Sequence, residues 1–403
     1  MHTIHHALVL NLHQPAGNQD ELLTYQPWET REVLEAMDRI PRSLWGYEDV
    51  GRVHLSLSGT LLETLSNLDF QSRMYGVVDC GSLLWFFQNL SIFRILGTGY
   101  YHPVLPLIPE ADREEQIRRW QGIGRHLFGR DQFQGFWPPE MGFSMELIPL
   151  LRRAGYRYVL VDSEHVEAVT PMTWQELRYR PHVARYGDDE IIVVVRDRDL
   201  SNAQESGMDL DWFTRETAAR TQGCDFEPLV TTATDGDNGG WFRNWQPQSN
   251  FWGFYRNLMD YTRSGGPIRP TFIDDYLDRY GVSGEVRVNT GAWNTGWHHG
   301  RDFLQWTGSQ AQKDALVRVE ALSNSVQEIH KQAHAAQEPE ARDLLEQAHW
   351  RLLHAQTSCH FFWGEAWLPR AHEQMDASLA HLEQARLALK SRPAGYALRT
   401  LRS

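Results

Sequence analysis

Two carboxylates stand where the chain could do chemistry. Glu140 follows an aromatic run closed by two prolines, within QGFWPPEMGFS from Gln134 to Ser144. Pro138 and Pro139 fix φ and remove backbone donors, so they should end a strand sharply and hold the next residue in one place. A carboxylate there, flanked by Phe136 and Trp137, suits a catalytic nucleophile. The plainer reading is a solvated loop glutamate after a buried strand. Asp235 closes a second apolar run, Leu229 to Thr234, and opens DGDNGGWF, which also carries Asp237 and Trp241. At a strand end it could face Glu140 across a barrel mouth. Acids among glycines also suggest calcium, but the EF-hand spacing is absent. Each of these oxygen side chains also serves as a turn former.

Other polar residues fall at the ends of apolar runs. ALVLNL, Ala7 to Leu12, ends at His13-Gln14-Pro15. Ile92 to Leu96 leads through a glycine-rich turn to Tyr100-Tyr101-His102-Pro103, which reads as a pocket lining or a packed loop. YRYVLVD ends at Asp162, followed by Glu164 and His165. Ile191 to Val195 ends at Arg196, where massed charges form either a pocket rim or a solvated loop. EVRVN from Glu285 runs into a glycine-rich loop carrying Trp293, Trp297, His298 and His299. Aromatics among loop glycines are more typical of a binding surface than of a core.

The elements that position these residues follow from the pattern. Near-continuous apolar runs read as buried parallel strands. Strands alternating with helices, with polar clusters after many strands, indicate an α/β barrel rather than a doubly wound sheet, which concentrates its ligand at one switch point. From about Ser309 the pattern becomes helical. The stripes are Leu316, Val319, Leu322, Val326 and Ile329; then Leu345, Ala348, Leu352, Ala355 and Cys359; then Met375, Leu379, Leu382 and Ala385. With breaks near Pro339 and Pro369, they describe a small bundle. Aromatics around His360 exceed what one stripe needs, and Trp363 is either bundle core or a side chain presented to the first domain. The expected division is residues 1–305 and 306–403.

Composition narrows the partners. A net charge of −13 disfavours nucleic acid and anionic membranes and is compatible with a neutral substrate. The chain holds 16 Trp, 14 Tyr and 17 Phe, large core side chains or stacking platforms for the C–H faces of sugar rings. Cys80, Cys224 and Cys359 form no framework, which suggests a reducing, cytoplasmic setting. The start does not read as a secretory signal, and no run is long enough to be expected to span a membrane. His2, His5 and His6 resemble a fragment of a tag but are not a continuous run.

The ordered segments HQPAGN from His13, GTGYYHPVLPLIP from Gly97, GFWPPEMG from Gly135, TTATDGDNGGWF from Thr231 and GAWNTGWHHGRDFLQWTG from Gly291 resemble the signature regions of glycoside hydrolase family 57. The resemblance covers most of the chain and implies an incomplete (β/α)7 barrel followed by a C-terminal α-helical bundle that contributes to the cleft. It implies retaining chemistry on α-glucans or maltooligosaccharides without a required metal or cofactor, by α-amylases, 4-α-glucanotransferases or branching enzymes. Glu140 matches the nucleophile and Asp235 the general acid/base, whose carboxyls should lie about 5–5.5 Å apart for retention. The substrate-binding set expected is His13, Gln14, Tyr101, His102, Trp137, Asp162, His165, Arg196, Trp241, Trp293, Trp297, His298 and Trp363. Asp237 departs from the pattern, since many members carry Glu there. The chain is also short for the family, so large extra domains are not expected. Rival readings are a catalytically silent glucan binder and a metal-dependent carbohydrate hydrolase drawing ligands from His13, Asp162, His165, His298 and His299. Oligomeric state is left open.

Overall fold

In the computed structural model, residues 3–129, 133–294 and 302–390 are described. They divide into two compact units, Met1–Pro106 with Glu114–Leu304, and Leu107–Arg113 with the described part of Gln305–Ser403.

Among the described residues, seven parallel strands form the main path of the first unit's sheet: β1 (Ile4–Leu12), β2 (Val53–Leu57), β3 (Phe93–Leu96), β4 (Gly135–Phe136), β5 (Tyr158–Asp162), β6 (Asp189–Arg196) and β7 (Leu229–Asp235). Their order is β3-β2-β1-β7-β6-β5-β4. A parallel bridge from Gly97 to Phe136 then brings β3 and β4 together. The result is the nearly closed seven-stranded barrel expected, with helices between strands.

Two seams show how the closure is made. At β3/β4, Gly97 N donates to Gly135 O at 2.9 Å and Trp137 N donates to Gly97 O at 2.8 Å. A Cβ at Gly97 would lie 2.1 Å from Tyr156 Oη, so only glycine lets the strands meet there. At β6/β7 the register pairing is confined to Arg196 and Thr231. Side chains replace the missing ladder: Arg196 Nε donates to Ala233 O at 2.7 Å, and Ser201 Oγ accepts from Ala233 N at 3.0 Å. Such substitution satisfies backbone groups that would otherwise be buried unpaired.

Alternate residues of the strands point inward. Ala7, Val9, Leu96, Tyr158, Leu160, Val194 and Ala233 form one core cluster with Trp137 and Met141, and Trp293 packs on it. His5 and His6 are not a tag fragment. Both lie inside β1, buried, with His5 Nδ1 2.9 Å from Thr271 Oγ1 and His6 Nε2 2.8 Å from Thr232 Oγ1.

The second unit holds three long helices, Gln310–Ala336, Pro339–Ala355 and Leu368–Lys390. Ser309 and Gln312 form a capping box on the first, and Pro339 begins the second at a position where its missing N–H costs nothing. Leu107–Arg113 joins them through Asp112, which accepts from Gln356 Nε2 at 2.6 Å and lies 3.2 Å from His349 Nε2. No described helix is long and apolar enough to cross a membrane.

Candidate active site

In a parallel barrel every strand presents its carboxyl end to the same rim. Asn11 and His13, Asp162, Arg196 and Asp235 come from the ends of β1, β5, β6 and β7, and Glu140 follows β4 by four residues.

Glu140 sits in a left-handed conformation, φ 59° and ψ 18°, followed by Met141 at φ 52°. His102, from the loop after β3, is also left-handed at φ 56°. For residues with a Cβ this conformation costs on the order of 1–3 kcal/mol each and persists only where neighbours impose it. Here Trp293 N donates to Glu140 O at 3.1 Å, and Phe143 and Gly291 exchange backbone hydrogen bonds at 2.9 and 3.1 Å. The turn is thereby clamped to the segment that delivers Trp293. The Trp293 indole Nε1 donates to Glu140 Oε2 at 2.8 Å, and the Glu140 side chain is only 11% exposed.

The other Glu140 oxygen, Oε1, lies 3.8 Å from His102 Nδ1, beyond hydrogen-bond reach. Burial pushes His102 down to about 3 and His13 well below its ordinary value, the latter helped by His102. Although the distance falls within ion-pair range, a neutral ring makes it a polar contact rather than a salt bridge. The two imidazoles stack, centroids 4.0 Å apart and planes at 10°, as neutral rings do readily and two cations would not.

Asp235 Oδ1 accepts from Asn11 Nδ2 at 2.9 Å, across the register pair that joins β1 to β7. Burial and then the charge of Glu205 push Asp235 up to about 6, against hydrogen bonds from Asn11 and Asn238 and the charge of Arg196. Asp235 therefore keeps its proton into a range where an ordinary aspartate has lost it. Asp237 is pushed to about 7, by burial first and Asp235 second.

Arg196 links the two carboxylate neighbourhoods. Its guanidinium carbon lies 5.8 Å from the Trp293 ring centroid, and its charge acts on Asp235. It is itself held by fully buried Asp162, whose Oδ2 accepts from Arg196 Nη1 at 2.6 Å and whose Oδ1 accepts from Arg198 Nε at 2.8 Å.

The remaining expected residues have distinct placements. Trp137 is fully buried, edge-on to Trp293 at 5.5 Å, so it supports that ring from the core. His165 Nε2 lies 2.8 Å from Ala292 O, and its ring fills the space a Cβ at Gly291 would take, so it buttresses the Trp293 segment. Tyr101 is buried edge-on to Tyr100, and its N–H donates to Gln116 Oε1 at 2.9 Å. Trp241 packs against Phe251 and Phe254 of the helix Phe251–Arg263. Gln14 bonds Asp237. Trp363, in the second unit, is 58% exposed and edge-on to Phe362. Trp297 and His298 lie outside the described residues, as does His299. Asn11 was missed from the sequence, whereas Arg198 is one of the charges massed after Ile191 to Val195. A polar residue inside the apolar run ALVLNL was the available signal for Asn11.

Among the described residues no group of three or more His, Cys, Asp or Glu side chains could hold a metal ion. A cavity of about 520 Å³ lies against Ser144, Glu146, Tyr186, Arg287 and Asn289; Glu140, Asp235 and Trp293 do not line it.

The fold and rim define a class: a nearly closed β/α barrel with one clamped carboxylate and one proton-retaining carboxyl at its strand ends. Residues 47–288 match glycosyl hydrolase family 57, and the chain belongs to that family. It is 27% identical over 192 residues to an alpha-amylase of Pyrococcus horikoshii, covering 47% of this chain and 27% of the relative. It is 28% identical over 208 residues to a 4-alpha-glucanotransferase of Thermococcus litoralis, covering 50% and 28%. The matched stretches thus span little more than a quarter of those relatives' lengths. A GH57-type branching enzyme from the hyperthermophilic archaeon Pyrococcus horikoshii shares the fold, with a TM-score of 0.71 over 96% of this chain and 88% of that one, at 14% identity.

Proposed function

We propose that the protein is a retaining glycosidase or transglycosylase of α-1,4-glucans, with Glu140 as nucleophile and Asp235 as general acid/base. The observation that carries this reading is the division of labour between the carboxyls. Asp235 retains a proton to about pH 6, while Glu140 accepts a hydrogen bond from an indole N–H. One group is suited to give a proton and the other to offer a lone pair, the pattern that acid/base pairs require.

Glu140 attacks the anomeric carbon as the bond to the leaving oxygen breaks, and the Asp235 proton passes to that oxygen. In the second half, a water or a sugar hydroxyl attacks the same carbon. Its proton goes to Asp235, and the bond to Glu140 breaks. Arg196 and Trp293 hold the surroundings of both groups. The α-glucan assignment is supported by the names of the relatives, an alpha-amylase and a 4-alpha-glucanotransferase. Cys80, Cys224 and Cys359 form no disulfide, which agrees with a cytoplasmic enzyme acting on stored starch or glycogen.

Incubation with maltoheptaose and with amylose, products resolved by size and linkage, tests the proposal. Only shorter chains mean hydrolysis, a ladder above and below the input means 4-α-glucan transfer, and new α-1,6 linkages mean branching. No change in any of these refutes the α-1,4-glucan reading.

A further inference from the structure

Asp237 follows Asp235 by two residues and is fully buried. Its Oδ2 accepts from Gln14 Nε2 at 2.9 Å. Gln14 is fixed in that orientation. Its side-chain oxygen accepts from Asn18 Nδ2 at 3.1 Å and Gln19 Nε2 at 2.8 Å, and its carbonyl accepts from Thr60 Oγ1 at 2.7 Å. The amide nitrogen is therefore the end that meets Asp237. Asp237 Oδ1 is buried and, among the described residues, has no hydrogen-bond partner.

The nearby cation is spent elsewhere. Arg243 Nε donates to the backbone carbonyl of Asp237 at 2.9 Å, its Nη1 pairs with Glu29 at 2.9 Å, and its Nη2 donates to Asn238 at 3.0 Å. Only its through-space charge reaches the Asp237 carboxyl. A buried carboxyl with one neutral side-chain donor and one bare oxygen is poorly solvated as an anion.

We propose that Asp237 is a positioning residue for Asp235: anchored by Gln14, it holds the turn after β7 and couples its own proton to that of Asp235 without touching substrate. This rests on the reading of Asp235 as acid/base. The groups facing the pair are Asp235 itself, Arg243 and Gln14 around Asp237, and Glu205, Arg196, Asn11 and Asn238 around Asp235. With Asp235 held near 6 and Asp237 near 7, the protons leave in overlapping steps that belong to the pair. The charge of Asp235 raises Asp237 and, because the interaction is reciprocal, a charge on Asp237 raises Asp235 and extends the pH range in which the acid is armed.

The test has two readouts. The first needs no substrate: melting temperature from pH 4.5 to 8.5 for the wild type, Asp235→Asn, Asp237→Asn and the double variant. Both carboxyls bind protons more tightly in the folded state. Each therefore contributes stability at low pH that is lost as pH rises through about 6 to 7. Coupling predicts that each substitution flattens this loss and that their effects are not additive. Additive effects overturn the proposal. The second readout is the pH profile of kcat/KM on maltoheptaose. Asp237→Asn should move the alkaline limb down by roughly half a unit or more, whereas a merely structural role lowers activity with the limb unmoved. Gln14→Leu, which keeps Asp237 but removes its donor, should shift the melting profile to higher pH, and an unshifted profile counts against the proposal even if Asp237→Asn fails to fold. If the wild type does not act on α-glucans, the function above fails, and the melting cycle decides the coupling on its own.

Discussion

Asp162→Asn is the substitution whose cost can be worked from the structure. Asp162 is fully buried at the end of β5, and its two oxygens accept from Arg196 at 2.6 Å and Arg198 at 2.8 Å. Those side chains are themselves 4% and 10% exposed. Burial weighs against the charge of Arg196, and Asp162 is the first group opposing that. Asparagine keeps the shape but strands two guanidinium groups without the carboxylate that both of them bond. Removing one partner from a buried ion pair costs about 3–5 kcal/mol. The loss should appear in urea unfolding followed by tryptophan fluorescence. Adding Arg198→Met should recover part of it, because one of the stranded charges is gone. Activity should fall as well, since Arg196 lies 5.8 Å from the Trp293 ring and bonds Ala233, two residues before Asp235. A loss below about 1 kcal/mol, or no recovery in the double variant, would refute the view that this ion cluster holds the rim together.

Asp235→Asn should remove turnover yet stabilise the fold at high pH. The shift of Asp235 from 3.8 to about 6 sets a ceiling of roughly 3 kcal/mol, less after partial exposure. Its advantage over the wild type should be present at pH 8 and vanish by pH 4; an advantage independent of pH contradicts the assigned cause. Trp293→Phe keeps the ring against Trp137 but deletes the N–H that binds Glu140. A hydrogen bond to a charged group is worth about 1.5–3 kcal/mol, so kcat should fall on the order of 10–100-fold. A kcat within about twofold of wild type would show that the N–H does not matter.

The strands were legible because parallel strands buried on both faces leave continuous apolar runs, and their polar terminations mark the rim. The three C-terminal helices were legible from periodicity and from Pro339 and Pro369. Less could be read of what each rim residue does. Residue type cannot separate a charge that reaches a ligand from one that pairs with its neighbour, so Asp162 and Arg196 stood together as contact candidates, although they bond each other. Trp137 gave the same ambiguity: an aromatic at a strand end can face the core or the cleft, and this one is fully buried. The prolines before Glu140 pointed to a rigid position. The left-handed backbone at Glu140 is held by the bond of Glu140 to Trp293 and the bonds of Phe143 to Gly291, contacts between segments about 150 residues apart that no local pattern encodes. The attachment of Leu107–Arg113 to the second unit has the same origin, in long-range bonds from Asp112.

The central claim is that Glu140 forms a bond to the sugar. Asp235→Asn incubated with an α-maltosyl fluoride, whose leaving group needs no acid, should be glycosylated quickly and deglycosylated slowly. Mass spectrometry of the peptic digest should then find one maltosyl unit on the peptide containing Glu140, and none after Glu140→Gln is added. A maltosyl unit on another residue, or turnover of the fluoride with inversion and no adduct, would contradict the account.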